Sequence, residues 1–141
     1  MTNGVIISAH GEFAKGLKTG LDLVVGSMPN IRVVNFVEGD NYDIIDANFQ
    51  KAFDELKDCK NILIITDLKG GTPFNRAVTL FSTNENVRVL SGLNFAMTYQ
   101  AMISDAENIE DYLKEVIDTG KDSIDYFEFK IKEDDIEEDG I

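Results

Sequence analysis

Two stretches decide the fold of this chain: VIISAHG at residues 5–11 and ILIITDLKGGTPFN at residues 62–75. Each begins as a short apolar run, which is typical of a strand buried on both faces of a sheet. The first run ends at His10, the only histidine in the sequence, and the second ends at Asp67. A glycine follows each of these polar residues within four positions, so each strand leads into a turn.

Outward from these runs, the pattern alternates between strands and helices. Strands are predicted at 4–9, 31–37, 61–66 and 87–91, and apolar residues at helical spacing predict helices at 13–25, 43–57, 72–81, 94–103 and 109–118. Thr72 is expected to be the N-cap of the third helix, with Pro73 in its first turn. This alternation predicts an α/β fold: a doubly wound, mainly parallel sheet in the order 2-1-3-4, with helices on both faces.

The end of the chain changes character. Apolar residues at the odd positions from 127 to 131 alternate with charged residues, which predicts a half-buried strand over 125–132. We expect it to be antiparallel at a sheet edge, either in this chain or in a partner subunit. Residues 133–141 are predominantly acidic and read as a solvated tail. The predicted organisation is therefore a core over 1–124, an edge strand over 125–132 and a tail over 133–141.

Composition narrows the class of protein. With 141 residues, 43% of them hydrophobic, the chain can form one domain with a buried core. No apolar run approaches the ~20 residues of a membrane span, and no signal-peptide pattern is present. Cys59 is the only cysteine, which excludes an internal disulfide and suits the cytoplasm. One histidine and one cysteine argue against a zinc site, and we expect neither a metal nor a cofactor.

The formal net charge of −13 bears on the choice of partner. An acidic chain is repelled by nucleic acid and by anionic membranes, so we expect it to bind neither directly. A basic protein partner would be attracted. The acidity also has a simpler interpretation, because it keeps a cytoplasmic protein soluble.

The predicted strand order brings His10 and Asp67 together. In an open parallel sheet, ligands bind beyond the carboxyl ends of the strands where the strand order reverses, and strands 1 and 3 are neighbours there. A carboxylate that accepts the imidazole N–H fixes the tautomer and directs the other nitrogen outward. His10 itself then becomes a candidate nucleophile, and its role is predicted to be carrying a phosphoryl group.

Two glycine-containing turns lead from these strands into helices. The first contains Gly11, and the second contains Gly70, Gly71 and Thr72. Backbone N–H groups at a helix amino terminus can hold an anion, and the Thr72 hydroxyl adds a donor. Each feature alone has a structural interpretation, as a turn or a cap. Their combination predicts a phosphate cradle with little side-chain charge.

These segments resemble the IIA domains of the mannose class of the bacterial phosphoenolpyruvate-dependent sugar phosphotransferase system. The similarity runs over residues 4–124 and includes IISAHG at 6–11, FVEGDN at 36–41, DLKGGTPFN at 67–75 and SGLN at 91–94. The DLKGGTPFN segment is the most specific. A related family delivers phosphate to dihydroxyacetone kinase, and the GGTPFN run favours the sugar branch.

The resemblance implies particular roles and partners. His10 would accept phosphate through Nε2 from the phosphohistidine of HPr and pass it to a separate IIB subunit, while Asp67 would orient the ring through Nδ1. Gly71 and Thr72 match the region that lines the phosphate. The resemblance further implies a homodimer in which the carboxyl-terminal strand crosses between subunits, and a peripheral association with membrane permease subunits through IIB.

Two other functions remain open from the residues. A signalling receiver also has a doubly wound sheet and carries phosphate on an aspartate after the third strand, where Asp67 lies. Receivers need acidic residues after the first strand to bind magnesium, and His10 and Gly11 lie there instead. A flavin-binding module would use the same crevice, but residues 9–13 are poor in serine and threonine for its phosphate loop.

Overall fold

The computed structural model describes residues 2–130. Within them, four parallel strands form one sheet in the order β2-β1-β3-β4. The strands are β1 (Asn3–His10), β2 (Ile31–Phe36), β3 (Asn61–Thr66) and β4 (Val87–Ser91). The predicted α/β fold class and strand order are confirmed, and β1 and β3 are central neighbours.

Five helices connect or follow these strands. They are α1 (Phe13–Val25), α2 (Tyr42–Glu55), α3 (Thr72–Phe81), α4 (Phe95–Ile103) and α5 (Ile109–Asp122). The last helix runs four residues beyond its predicted end at 118. Gly120 lies in this extension and is buried so close to Met97 that an added Cβ would lie 3.0 Å from the Met97 Cβ.

Alternate residues of the central strands face two separate apolar layers. Val5 and Ile7 of β1 pack in the layer that contains α1, α4 and α5, whereas Ile6 packs in the layer that contains α2 and α3. All three side chains are fully buried. Burial on both faces explains why the strands read as continuous apolar runs rather than alternating ones.

Buried asparagines close the amino-terminal edge of the sheet. The Asn3 side chain donates to the backbone oxygens of Ser104 and Ala106, and the Asn61 side chain donates to the Asn3 Oδ1 and to the Glu107 backbone oxygen. These bonds fix the connection between α4 and α5 against the strand ends. The carboxyl-terminal edge has no such amide cluster among residues 2–130, and the predicted site residues lie there.

Each of the two outer strands has an arginine that protects its unpaired edge. Arg32 in β2 donates to the backbone carbonyls of Pro29 and Ile31, at 2.9 and 2.8 Å. Arg88 in β4 makes the equivalent pair of bonds on the other edge. Because these carbonyls belong to the unpaired edges of the sheet, the arginines shield the beginnings of both edges from added strands.

The structure describes residues 125–130 of the predicted edge strand over 125–132, and it differs from the prediction there. Residues 125–130 form no strand and pair with none of the four strands. The prediction that they add a strand to this chain's own sheet is therefore wrong. Their side chains are exposed, including Phe127 and Phe129 at 73% and 84%. Alternation alone indicates a face to be buried but does not identify what buries it. Residues 131 and 132 and the predicted tail over 133–141 lie outside the described residues.

Candidate active site

The sheet brings the two predicted catalytic residues to one point. His10 is the last residue of β1, and Asp67 directly follows β3. The parallel register pairs Ser8 with Thr66, so β1 and β3 end at nearly the same level of the sheet. Two residues 57 positions apart in sequence therefore become neighbours, as the strand order predicted.

One oxygen of Asp67 makes both contacts with His10. Asp67 Oδ2 accepts a hydrogen bond from the His10 backbone N–H at 3.0 Å and lies 2.9 Å from the ring Nδ1. Because a carboxylate can only accept, Nδ1 is the protonated nitrogen of a neutral ring and Nε2 carries the lone pair. The His10 side chain is 47% exposed and that of Asp67 18%, so the carboxylate is sheltered while the ring is accessible.

The local contacts also set the charge of Asp67. Burial by itself raises the pKa of its carboxyl group, but the hydrogen bonds from the His10 backbone and ring, and the positive charge of the ring in its protonated form, outweigh this effect. The net effect lowers the Asp67 pKa below the ordinary value of 3.8. Asp67 is therefore a carboxylate at neutral pH, which is the form needed to hold the Nδ1 proton and to stabilise positive charge on the ring.

Phe36 supports the imidazole from the end of β2. Its ring meets the His10 ring edge-to-face, with centroids 5.9 Å apart. The Phe36 carbonyl accepts the Gly11 N–H at 2.8 Å, which anchors the chain immediately after His10. Sequence reasoning gave Phe36 no role, because an aromatic residue at a strand end is indistinguishable from an ordinary core residue.

The glycine pair after Asp67 forms a tight turn against the ring. The Gly71 N–H donates to the Leu68 carbonyl at 3.0 Å, and Gly70 has φ 82°, as expected for the third residue of a type II turn. A Cβ on Gly71 would lie 2.9 Å from His10 Cε1. Gly70 is therefore required by backbone conformation, and Gly71 by its close approach to the imidazole.

Helix capping distinguishes the helices that begin at the site. The N-caps of α2, α4 and α5 are Asn41, Asn94 and Asn108, and each side chain accepts a backbone N–H. The N-caps of α1 and α3 are Glu12 and Gly71, and neither makes a side-chain cap bond. The two helices that directly follow His10 and Asp67 thus begin with backbone donors that no cap occupies.

The structure changes which groups of the predicted cradle are available. The prediction that Thr72 is the N-cap of α3 is wrong. Gly71 is the N-cap, because its carbonyl accepts the first helical bond from Asn75 at 2.9 Å, and Thr72 is the first helical residue. The N–H groups of Gly11 and Gly71 are already bonded to backbone carbonyls. By helix geometry, the N–H groups of Thr72 and Phe74 lack acceptors within the helix. Gly70 and Gly71 therefore shape the turn, and the N–H groups of Thr72 and Phe74 are left without a helical acceptor.

No group of three or more His, Cys, Asp or Glu side chains within residues 2–130 is arranged to hold a metal ion. Over the same range, no helix combines the length and apolar character needed to cross a membrane.

Cys59 is half-buried, and burial raises the pKa of its thiol, which disfavours the reactive thiolate. The His10 ring, by contrast, is 47% exposed at the carboxyl ends of the strands.

The fold and the site define an α/β protein with a histidine–aspartate pair at the switch point of a parallel sheet. A family model described as PTS system fructose IIA component matches residues 4–118. The chain belongs to this family, whose members are IIA components of the sugar phosphotransferase system. The resemblance found in the sequence is thereby confirmed.

Individual relatives agree with this assignment. The chain is 25% identical over 126 residues to the mannose-specific EIIAB component of Escherichia coli K12, covering 88% of this chain but 39% of that protein. It therefore spans about two fifths of the length of that relative. A Streptococcus agalactiae EIIA structure is 35% identical with a TM-score of 0.79, covering 87% of this chain and 95% of the other. A mannose/sorbose-specific IIA subunit from Enterococcus faecalis is 26% identical with a TM-score of 0.84, covering 94% and 100%.

Proposed function

We propose that the protein is a phosphocarrier whose His10 accepts a phosphoryl group from the phosphohistidine of HPr and passes it to a IIB subunit. The observation that carries this proposal is the 2.9 Å contact between His10 Nδ1 and Asp67 Oδ2, which leaves the Nε2 lone pair on an accessible ring. Membership of the IIA family supports a role in sugar phosphotransfer.

The transfer is a displacement at phosphorus. The lone pair of His10 Nε2 forms a bond to the phosphorus atom while the bond from phosphorus to the donor nitrogen breaks, and its electron pair returns to the donor imidazole. Phosphorylated His10 keeps its Nδ1 proton, so the ring gains positive charge. The Asp67 carboxylate faces that proton and stabilises this charge throughout the step. Transfer to IIB follows the same path in reverse, with His10 as the leaving group.

The free N–H groups at the start of α3 suit the phosphoryl oxygens. Gly71 lies against His10 Cε1, which is bonded to Nε2, and we therefore expect a group on Nε2 to approach the Thr72 and Phe74 N–H groups that follow Gly71. The positive end of the helix dipole adds to this attraction. Neutral donors hold the phosphate less strongly than an arginine or lysine would, which suits a group that has to move on to the next protein.

Exposed apolar side chains near the carboxyl edge support docking of protein partners. Phe13 begins α1, Val37 follows β2 and Leu68 follows Asp67, and their side chains are exposed by 52%, 38% and 59%. Apolar area within a polar surround is typical of protein interfaces. HPr and IIB would use this rim in turn, because both have to reach the same Nε2.

The remaining parts of the proposal concern the setting. We infer a cytoplasmic protein that associates with membrane permease subunits only through its IIB partner, and that forms a homodimer through residues 125–132. The exposed side chains of Tyr126, Phe127 and Phe129 support the dimer, because three large apolar groups on one segment favour burial against a partner. No cofactor takes part in the proposed transfer.

Labelling with phosphoenolpyruvate, HPr and the general phosphotransfer enzyme of the system tests the proposal. The expected product is one phosphoryl group on His10 that is labile in acid and stable in alkali, and that moves to IIB when IIB is added. His10→Ala should remove all labelling. Full labelling of His10→Ala would reject the proposal, and a hydroxylamine-sensitive, magnesium-dependent adduct on Asp67 would show a receiver instead.

A further inference from the structure

The peptide group between Gly70 and Gly71 is held at both of its polar ends. Its N–H, which belongs to Gly71, donates to the Leu68 carbonyl at 3.0 Å. Its carbonyl, which belongs to Gly70, accepts a hydrogen bond from the Asn75 side-chain Nδ2 at 3.0 Å. The first bond is a turn bond that many sequences could make. The second depends on one side chain, that of Asn75.

Two adjacent glycines make this restraint important. Glycine populates positive and negative φ about equally, so a Gly-Gly peptide can rotate with little steric resistance. A rotated peptide would release the Gly70 carbonyl from Asn75 and alter the start of α3. A carbonyl oxygen turned toward a phosphoryl group would repel it, whereas the N–H groups of Thr72 and Phe74 attract it. The orientation of this one peptide therefore bears on whether the turn accepts an anion.

Asn75 is itself well placed to hold the turn. It lies in the first helical hydrogen bond of α3, donating its backbone N–H to the Gly71 carbonyl at 2.9 Å. The Thr79 hydroxyl donates to the Asn75 carbonyl at 2.9 Å, which adds a bond in the following turn. The Asn75 side chain thus extends from a fixed helical turn back to the loop. Asparagine is a poorer helix former than alanine, so helix propensity does not account for it here.

We propose that Asn75 is a positioning residue for phosphoryl transfer, which keeps the Gly70 carbonyl turned away from the phosphoryl group and the amino terminus of α3 open to it. This inference rests on the proposed function of His10. Asn75 does not touch the reacting atoms in this role. It acts through the Gly70–Gly71 peptide, which in turn packs against the His10 ring.

Two substitutions separate positioning from stability. Asn75→Asp has the same shape but cannot donate to the Gly70 carbonyl, and its negative charge near the amino terminus of α3 favours the helix dipole. Asn75→Ala removes the side chain and improves helix propensity. Both variants should therefore fold, and both should lose the restraint. Asn108→Ala is the matched control, because Asn108 caps α5 near the opposite edge of the sheet with bonds to two backbone N–H groups.

The experiment measures the rate of phosphorylation by phospho-HPr over a range of HPr concentrations. We expect both Asn75 variants to lower the maximal rate about tenfold, because a small misplacement at a reacting site is costly, while the apparent KM for HPr is unchanged. Asn108→Ala should react at the wild-type rate. In amide NMR spectra, the shift of the Thr72 N–H on phosphorylation should shrink in Asn75→Asp and stay intact in Asn108→Ala.

The outcomes distinguish this inference from the proposed function. If wild-type protein is not labelled on His10, the proposed function fails. If the wild type is labelled normally and the Asn75 variants react equally fast, only the role of Asn75 is overturned. A higher KM with an unchanged maximal rate, or an equal loss in Asn108→Ala, would also overturn it, since these indicate docking or global stability rather than positioning.

Discussion

The His10 ring and the His10 backbone are both held by the same atom, Oδ2 of Asp67, at 2.9 and 3.0 Å. One carboxylate oxygen therefore locates the end of β1 and the imidazole that extends from it. Because both donors belong to one residue, ring rotation is coupled to the position of the strand end. Asp67 thus fixes the direction of Nε2 as well as the tautomer of the ring.

The first prediction concerns this double contact. Asp67→Ala removes the acceptor for both N–H groups, so the ring can rotate and can adopt the other tautomer. Phosphorylation of His10 should become about 100-fold slower without disappearing, because a displacement of about 1 Å of a reacting group costs about that much in rate. Rapid-quench labelling with phospho-HPr measures the rate. An unchanged rate would remove the proposed role of Asp67.

The second prediction concerns the contact between Gly71 and the ring. Gly71→Ala places a methyl group 2.9 Å from His10 Cε1, so either the ring or the turn has to move. Phosphorylation should fall at least about tenfold, since small displacements of a reacting group are costly. Gly16→Ala is the control, because a Cβ there meets nothing within 4 Å in a helix interior, and it should stabilise the fold by about 0.5–1 kcal/mol.

An equal loss of phosphorylation in Gly16→Ala would contradict this interpretation, because it would point to a general effect of removing glycine. Retained activity in Gly71→Ala would show that the turn yields without disturbing Nε2. Spectra of the His10 ring nitrogens distinguish a displaced ring from a displaced turn, since only the first changes the Nδ1 environment.

Much of the fold could be predicted because burial and periodicity are local signals. The apolar run at 5–9 is buried on both faces, and α1 begins and ends at the predicted Phe13 and Val25. The meeting of His10 and Asp67 followed from the strand order alone. Long-range placement was accessible here because parallel strands bring their carboxyl ends to one edge.

The details of the site were less accessible. An asparagine at position 75 has no pattern that reveals a bond back to the Gly70 carbonyl, and Thr72 matched the N-cap preference although Gly71 occupies that position. Capping rules describe the average helix, and a site that needs free N–H groups departs from them. The partner of residues 125–130 was also beyond sequence reasoning, because alternation does not specify the surface to be covered.

The third prediction concerns stability at low pH. The Asp67 pKa is lowered in the folded protein, so its carboxylate favours folding above the unfolded pKa, and this contribution is lost as the pH falls through the lower folded value. Asp67→Asn keeps an acceptor but not the charge. Its free energy of unfolding should lie about 1 kcal/mol below that of the wild type near pH 7, and the difference should shrink as the pH falls below 3.8 and through the lowered Asp67 pKa.

Urea unfolding at a series of pH values measures this difference. The quantity of interest is the difference in unfolding free energy between the wild type and Asp67→Asn at each pH. The other carboxylates titrate in both proteins, so their contributions cancel in this difference. A difference that stays unchanged as the pH falls well below 3.8 would show that Asp67 acts through shape and not through charge.

The fourth prediction concerns assembly. Phe127 and Phe129 share one side of the predicted alternation, while Tyr126 lies on the other. If a partner subunit buries that side, Phe127→Ser with Phe129→Ser should weaken the dimer strongly, and Tyr126→Ser should have a smaller effect. Light scattering across a concentration series measures the mass. A monomeric wild type, or a dimer that survives deletion of residues 125–141, would contradict the proposed interface.

The fifth prediction concerns the charge of the chain and the encounter with HPr. With a net charge of −13, association with a basic partner surface should slow as salt rises, because screening acts over about 8–10 Å. Glu38 follows β2 and so lies at the carboxyl ends of the strands, as His10 does, whereas Asp58, just before β3, lies at the opposite ends. Both side chains are exposed, so Glu38→Gln and Asp58→Asn remove the same charge at different distances from the docking rim.

If local charge guides HPr, Glu38→Gln should reduce the association rate and its salt dependence more than Asp58→Asn. Once docked, the apolar contacts of Phe13, Val37 and Leu68 depend little on salt, so the maximal rate of transfer should be nearly constant over the same range. Stopped-flow measurements at several salt concentrations separate the two quantities. Equal effects of the two substitutions would mean that only net charge matters, and a salt-independent association rate would exclude electrostatic guidance altogether.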